Sequence, residues 1–96
     1  MATARKLPRP FEMHWGAGEI IEEASFEGEW HEPCIQLMHW TEGEGAGGFS
    51  IRFCTYNHAG RFQRSPLMVS EADLDGLRLA LQTTPQLRAI LQHLLD

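Results

Sequence analysis

The segment Phe49–Tyr56 constrains this chain more than any other, because its apolar and polar side chains alternate with a period of two. One side of an extended backbone carries Phe49, Ile51 and Phe53, and the other carries Ser50, Arg52, Cys54 and Tyr56. The next four residues, Asn57-His58-Ala59-Gly60, place Asn at the first and Gly at the fourth position of a type I turn. The sequence therefore predicts a β-hairpin here.

Two further strands are predicted before this hairpin, near residues 19–26 and 34–41, and the returning strand of the hairpin is predicted near residues 61–69. The first alternates imperfectly, and its Glu22-Glu23-Ala24 run also permits a short helix. Pro66 removes one ladder donor, which places the last strand at an edge of the sheet or at a bulge. The glycine-rich stretch 42–48 lacks the residues of a phosphate-binding loop, so it is interpreted as a flexible connection.

Two amphipathic helices are predicted after the sheet. Ser70 is a helix N-cap residue, and Thr84-Pro85 is a second N-cap followed by a favoured first helical position. Apolar residues then recur at helical spacing: Leu74, Leu77 and Leu81, then Leu87, Ile90, Leu91 and Leu94. The sequence therefore predicts an α+β fold, a curved four-stranded antiparallel sheet followed by one or two C-terminal helices.

A length of 96 residues corresponds to one domain, residues 11–96, preceded by a flexible basic arm at residues 1–10. So short a chain buries only about 60–65% of its unfolded surface, and pairing with a second copy is the simplest added source of stability. No apolar run approaches the roughly 18 residues that span a bilayer. The N-terminus lacks a secretory apolar region, and only two cysteines are present, so a cytoplasmic protein is expected.

The net charge of −5 conceals a strong segregation of charge along the chain. Residues 1–11 carry three basic residues and no acid, residues 12–44 carry nine glutamates and no Lys or Arg, and residues 45–66 carry three arginines and no acid. Such asymmetry is more informative about partners than the total is.

No local pattern dictates a catalytic chemistry, and the sequence predicts neither an enzyme nor a cofactor. The sharpest metal-like pattern, the zinc ligand types His31, Cys34, Cys54 and His58, is the minority hypothesis because Cys54 lies within a strand and His58 in a turn. The two cysteines are interpreted as buried thiols, with a disulfide between them as the alternative.

The basic, aromatic hairpin 49–64 is the remaining functional signal. Stacking faces beside phosphate-neutralising charges are what sequence-tolerant binding of single-stranded nucleic acid requires. The candidate binding residues are Arg52, Tyr56, Arg61, Arg64 and, on the neighbouring strand, Trp40. The competing interpretation places Phe49, Phe53 and Phe62 in the core and makes the arginines an ordinary soluble surface.

The run Phe49-Ser-Ile-Arg52, then Ser65-Pro-Leu-Met-Val-Ser70 and a leucine-striped helix, resembles the transcriptional positive cofactor four family and its small bacterial relatives. In that family a strand carrying Ile-Arg leads through a hairpin to a Lys-Gly-Ile-x-Leu-Ser-like strand end and a helix. The matching positions here are Leu67, Val69, Ser70 and Leu74, whereas Ser65-Pro66 replaces the Lys-Gly pair. The resemblance covers roughly residues 33–83.

The resemblance implies a homodimer that binds single-stranded DNA on its curved sheet without marked sequence preference, in a transcription-coactivator-like or DNA-maintenance role. Only Arg52 carries over as a backbone contact, and the contact of the missing lysine is lost unless Arg64 substitutes for it. The alternative hypothesis is a protein-interaction or structural domain of the same fold that does not bind nucleic acid. Its partner would contact the acidic face 19–32.

Overall fold

Five β-strands, two α-helices and two 3₁₀ turns make up the part of the chain, residues 5–63 and 67–96, that the computed structural model describes. The strands are β1 (Arg9–Met13), β2 (Gly16–Ser25), β3 (Glu32–Gly43), β4 (Phe49–Tyr56) and β5 (Leu67–Ser70). The helices are α1 (Leu74–Ala80) and α2 (Pro85–Leu95), each preceded by a 3₁₀ turn, at Glu71–Asp73 and Leu81–Thr83. The strands form one antiparallel sheet in the order β1-β2-β3-β4-β5. The predicted α+β class is confirmed, but the sheet has five strands rather than four.

Strand β1 departs from the prediction, which placed Arg9 and Pro10 in a flexible arm. It pairs with β2 from Arg9 opposite Ile20 to Met13 opposite Gly16. Pro10 lacks a backbone donor, but β1 lies at the edge of the sheet, where a missing donor is tolerated. Arg9 and Pro10 therefore belong to the sheet, and the described part of the arm is residues 5–8.

The other strands follow the predicted order with shifted ends. The pairing of β2 with β3 changes register between Ile20 and Glu22, a β-bulge that accounts for the imperfect alternation there. Strand β4 coincides with the predicted 49–56. The predicted strand 61–69 is formed only in part. Strand β5, Leu67–Ser70, overlaps its end, and Phe62 makes an isolated bridge with Tyr56. Pro66 lies outside the described residues.

One face of the sheet, called here the inner face, carries the buried side chains. Phe11 of β1 packs edge-to-face against Trp40 of β3, with ring centroids 4.8 Å apart. The apolar core on this face is Ile20, Met38 and Trp40, with Phe11, Met13 and Met68 packed against it. Strand β4 turns its polar set inward, so that Ser50, Arg52, Cys54 and Tyr56 are buried. The interpretation of Phe49 and Phe53 as core residues is wrong, because they lie on the opposite, outer face.

The helices follow β5 and bury none of their residues in the chain as described. Ser70 is confirmed as an N-cap, since its hydroxyl accepts the Ala72 N–H at 3.3 Å. Pro85 opens α2 as predicted, but the predicted side-chain cap is wrong, because Thr84 Oγ1 donates to the Leu81 carbonyl instead. Within residues 5–63 and 67–96, no helix has the length and apolar character required to cross a membrane.

Candidate functional site: a buried polar cluster and an apolar groove

Three of the five residues predicted to contact nucleic acid are buried on the inner face. Arg52 and Tyr56 are each 7% exposed, and Trp40 is 6% exposed. The indole N–H of Trp40 donates to Ser50 Oγ at 2.9 Å, so its polar edge is satisfied within the chain. Arg61 is exposed, and Arg64 lies outside the described residues. The structure therefore does not bring the five together on one solvent-facing surface.

The inner face holds a cluster of polar side chains centred on Glu23 of β2. Its Oε2 accepts hydrogen bonds from Gln36 Nε2 at 2.6 Å, from Arg9 Nη2 at 2.9 Å and from the Cys34 thiol at 3.3 Å. Its Oε1 forms an ion pair with Arg5 Nη1 at 3.3 Å. The side chain is 5% exposed, so this carboxylate has exchanged water for four protein donors.

Glu32, at the start of β3, holds the second cation of the cluster. Its two oxygens accept from the two terminal nitrogens of Arg5, at 2.8 and 3.1 Å, which is the bidentate geometry that favours arginine over lysine. The guanidinium carbon of Arg5 also lies 3.6 Å from the centroid of the Tyr56 ring. Arg5 thus has carboxylates at its edges and an aromatic face against its plane.

Gln36 connects these ion pairs to β4. Its amide nitrogen donates to the Tyr56 hydroxyl at 3.0 Å, and its amide oxygen accepts from Arg52 Nε at 2.6 Å. The guanidinium of Arg52 in turn lies over the ring of Phe62, 4.7 Å from its centroid. Cross-strand register produces this chain, because Glu23 is opposite Gln36 and Gln36 is opposite Arg52. Among the described residues, no buried side-chain polar atom lacks a partner.

The cluster shifts the pKa values of its carboxyl groups. Burial acts to raise the pKa of Glu23, but hydrogen bonds from Gln36, Arg9 and Cys34 outweigh it and lower that pKa to about 2. Hydrogen bonding by Arg5 outweighs burial at Glu32 and lowers its pKa as well. Both carboxylates are therefore ionised throughout the neutral range.

We expect the protein to lose stability in acid because of these two groups. A carboxyl whose pKa is lower in the folded than in the unfolded state stabilises the fold at pH values above its unfolded-state pKa, 4.5. This stabilisation is lost as the pH falls through the folded-state pKa, about 2 for Glu23. The urea midpoint should therefore decline between pH 4.5 and 2. In a Glu23→Gln variant the decline should be shallower, and equal slopes for the two proteins would contradict this account.

The two cysteines are free thiols that face each other across β3 and β4. Burial raises the pKa of both, and the carboxylate of Glu23 raises that of Cys34 further. Thiols of this kind are poor nucleophiles and poor metal ligands at neutral pH. His58 meanwhile lies with Nε2 2.9 Å from the Gly28 carbonyl. Within the described ranges, no three His, Cys, Asp or Glu residues are placed to hold a metal ion.

A second feature, the apolar groove, lies on the outer face between the sheet and the helices. The groove has a volume of about 510 Å³. Its floor is Ile51 and Phe53 of β4 with Leu67 and Val69 of β5, and its wall is Leu74, Leu77, Leu81, Leu87 and Leu91, with Arg78 beside these leucines. These are the leucines of the predicted helical stripes, and the chain leaves Leu77 47% and Leu87 51% exposed. The stripes thus face an open groove rather than a core.

The exposed surface of the whole chain is too large for a compact monomer. It measures 7341 Å², whereas about 5,600 Å² is expected for a folded monomer of 10.9 kDa. The radius of gyration is 14.6 Å, against about 12.5 Å for a compact domain of this length. The excess surface exceeds the ~800 Å² that each partner buries in a standard protein–protein interface.

Comparison with protein-family models, with curated proteins and with solved structures finds no match to this chain. The resemblance to the positive cofactor four family therefore stays a prediction, and the polar cluster and the apolar groove are the features from which a function can be inferred.

The sequence did not predict that one site would bring together Arg5, Glu23, Glu32 and Gln36. One signal pointed towards them, since a basic N-terminal segment is followed directly by an acidic one without any Lys or Arg. Opposite charges segregated along a short chain can neutralise each other when the segments pair, as β1 and β2 do. Only the register shows that Glu23, Gln36 and Arg52 line up across three strands.

Proposed function

We propose that this chain is a non-enzymatic protein-interaction domain that works as a homodimer, with the apolar groove as the interface between two copies. The observation that carries the proposal is the groove itself, whose floor of strand residues and wall of leucines are exposed together. Continuous apolar patches of this kind on a protein surface mark interaction sites. The helices supply most of the wall, so they have a role in binding as well as in structure.

A second copy is the partner that best fits the groove. Helices of 7 and 11 residues are marginal in water unless an apolar face is packed, and neither helix buries a residue within its own chain. The helices therefore need a partner whenever the protein is folded, and only another copy is always present. A symmetric contact also lets the same patch serve both subunits, so the excess surface of both is covered at once.

Sedimentation equilibrium tests the proposal directly. The expected mass is twice the 10.9 kDa of one chain at micromolar concentration. A mass of one chain over that range, from a protein with intact helical circular dichroism, would refute the dimer.

Binding of single-stranded nucleic acid is the second candidate function, and one observation favours it. Arg61 and Phe62 are adjacent and exposed, and the Phe62 ring packs edge-to-face on Tyr56, with centroids 5.4 Å apart. An arginine beside a fixed aromatic ring is a small platform on which a base can stack. The many exposed glutamates of β2 and the loops oppose a polyanion.

We expect labelled oligo-dT to show no saturable increase in fluorescence anisotropy with this protein at low salt. The reason is that Arg52, Tyr56 and Trp40 are occupied inside the sheet. A saturable, salt-sensitive increase that is lost in Arg61→Ala would overturn this expectation and support the nucleic-acid hypothesis. Arg88→Ala is the matched control, because it removes one exposed arginine from α2, outside the groove lining, instead.

A further inference from the structure

The surroundings of Arg5 have the composition of a recognition site for a guanidinium group. This arginine pocket consists of Glu32, which binds the group bidentately, Glu23, which binds one nitrogen, and the face of Tyr56. Both carboxylates are 5% exposed, and Gln36 fixes Glu23 and Tyr56 from behind. The sheet therefore builds the pocket from β2, β3 and β4 without help from the arm.

The arm that fills the pocket is attached to the sheet by little else. Among the described residues, no backbone hydrogen bond joins residues 5–8 to a strand. Leu7 is 37% exposed and lies at an open cavity of about 580 Å³ lined also by Ile21, Ile35 and Leu37. Apart from a 3.4 Å hydrogen bond from Arg9 Nη1 to the Lys6 carbonyl, the described part of the arm is held by two of its own side chains, Arg5 and, two positions later, the apolar Leu7.

We infer that the arginine pocket is a binding site for a basic partner peptide, and that Arg5 occupies it in cis until such a peptide displaces the arm. The partner supplies an arginine followed two residues later by an apolar side chain, because these are the groups that the arm places there. A ligand held in cis lowers the apparent affinity of an external one by the fraction of time the site is free. The arm therefore acts as a built-in competitor.

The charge around the pocket favours the same class of partner. Glu22, which is exposed, lines the cavity at Leu7, and Glu19 and Glu29 are exposed nearby along the chain. They attract a basic segment and repel an acidic one, and this raises the association rate of the former. This acidic face is the one for which the sequence predicted a protein partner.

The test uses a labelled peptide, Ala-Arg-Lys-Leu-Pro, and a second peptide in which its Arg is replaced by Lys. In the full-length Arg5→Ala variant, we expect the arginine peptide to bind at least tenfold more tightly than the lysine peptide. Wild-type protein should bind it more weakly than the variant, because its own arm competes. Adding Glu32→Gln to Arg5→Ala should weaken binding at least tenfold, whereas adding Glu44→Gln, which removes an exposed charge from the loop after β3, should not.

Equal binding of the two peptides, or no binding to a variant that retains its far-ultraviolet circular dichroism, would overturn the inference. If Arg5→Ala does not fold, Arg5→Lys takes its place, since it keeps the charge and loses the bidentate contact. The outcome is distinguishable from that of the dimer proposal, because among the described residues the arginine pocket shares none with the groove and only Ile51 lines both the groove and the cavity at Leu7. A monomer that binds the arginine peptide would support this inference and refute the other.

Discussion

Replacing Leu77 by Glu is expected to convert the protein from a dimer to a monomer. Leu77 lies on the wall of the groove, so in the proposed dimer the new carboxylate would be buried among apolar side chains, and the nearby Arg78 already forms an ion pair with Asp75 at 3.2 Å. We expect the dissociation constant of the dimer to rise at least ~100-fold, equivalent to about 2.7 kcal/mol. Sedimentation equilibrium across a dilution series measures this shift.

Leu79→Glu is the matched control for that experiment. Leu79 is on the same helix, is 61% exposed and does not line the groove, so the same change there should leave the mass at two chains. The Leu77 variant should also lose helical circular dichroism on dilution, because α1 and α2 are too short to persist without packing. Identical masses for the two variants would show that the groove is not the interface.

The sequence predicted the elements of this fold better than it predicted their faces. Strict alternation located β4, and the Ser70 and Pro85 signals located both helices. Alternation alone shows only that Phe49 and Phe53 share a face. Because these side chains are apolar, that face was expected to pack in the core. The folded sheet decides otherwise, because it buries the polar set on the inner face and leaves Ile51 and Phe53 lining the groove.

Prediction of the sites failed for a related reason. Arg52 and Tyr56 are basic and aromatic, so in isolation they suggest a solvent-facing platform, but Gln36 bonds to both side chains and Arg9 also donates to the Tyr56 hydroxyl. The bond from Gln36 to Glu23 depends on a register that passes through a bulge in β2, and a shift of one residue reverses every side chain of a strand. No local pattern encodes such a register.

Glu23→Gln is expected to lower the free energy of unfolding by about 3 kcal/mol, since it breaks a buried ion pair from one side. The substitution leaves Arg9 without its carboxylate and can place an amide donor opposite the Gln36 amide, which needs an acceptor. In a domain of this size each kcal/mol shifts Tm by roughly 4–8 °C. Thermal scans at one fixed protein concentration measure the loss, because dimerisation makes Tm depend on concentration.

Glu22→Gln, one position earlier on the exposed face of β2, removes the same charge and should change stability by no more than about 0.5 kcal/mol. A double-mutant cycle with Arg9→Gln then isolates the Glu23–Arg9 pair, for which a coupling of roughly 0.5–3 kcal/mol is expected. If Glu23→Gln proved as mild as Glu22→Gln, the cluster would be dispensable to the fold. The contribution of Arg5 and Arg9 to stability would then have to come from the packing of their side chains rather than from their charges.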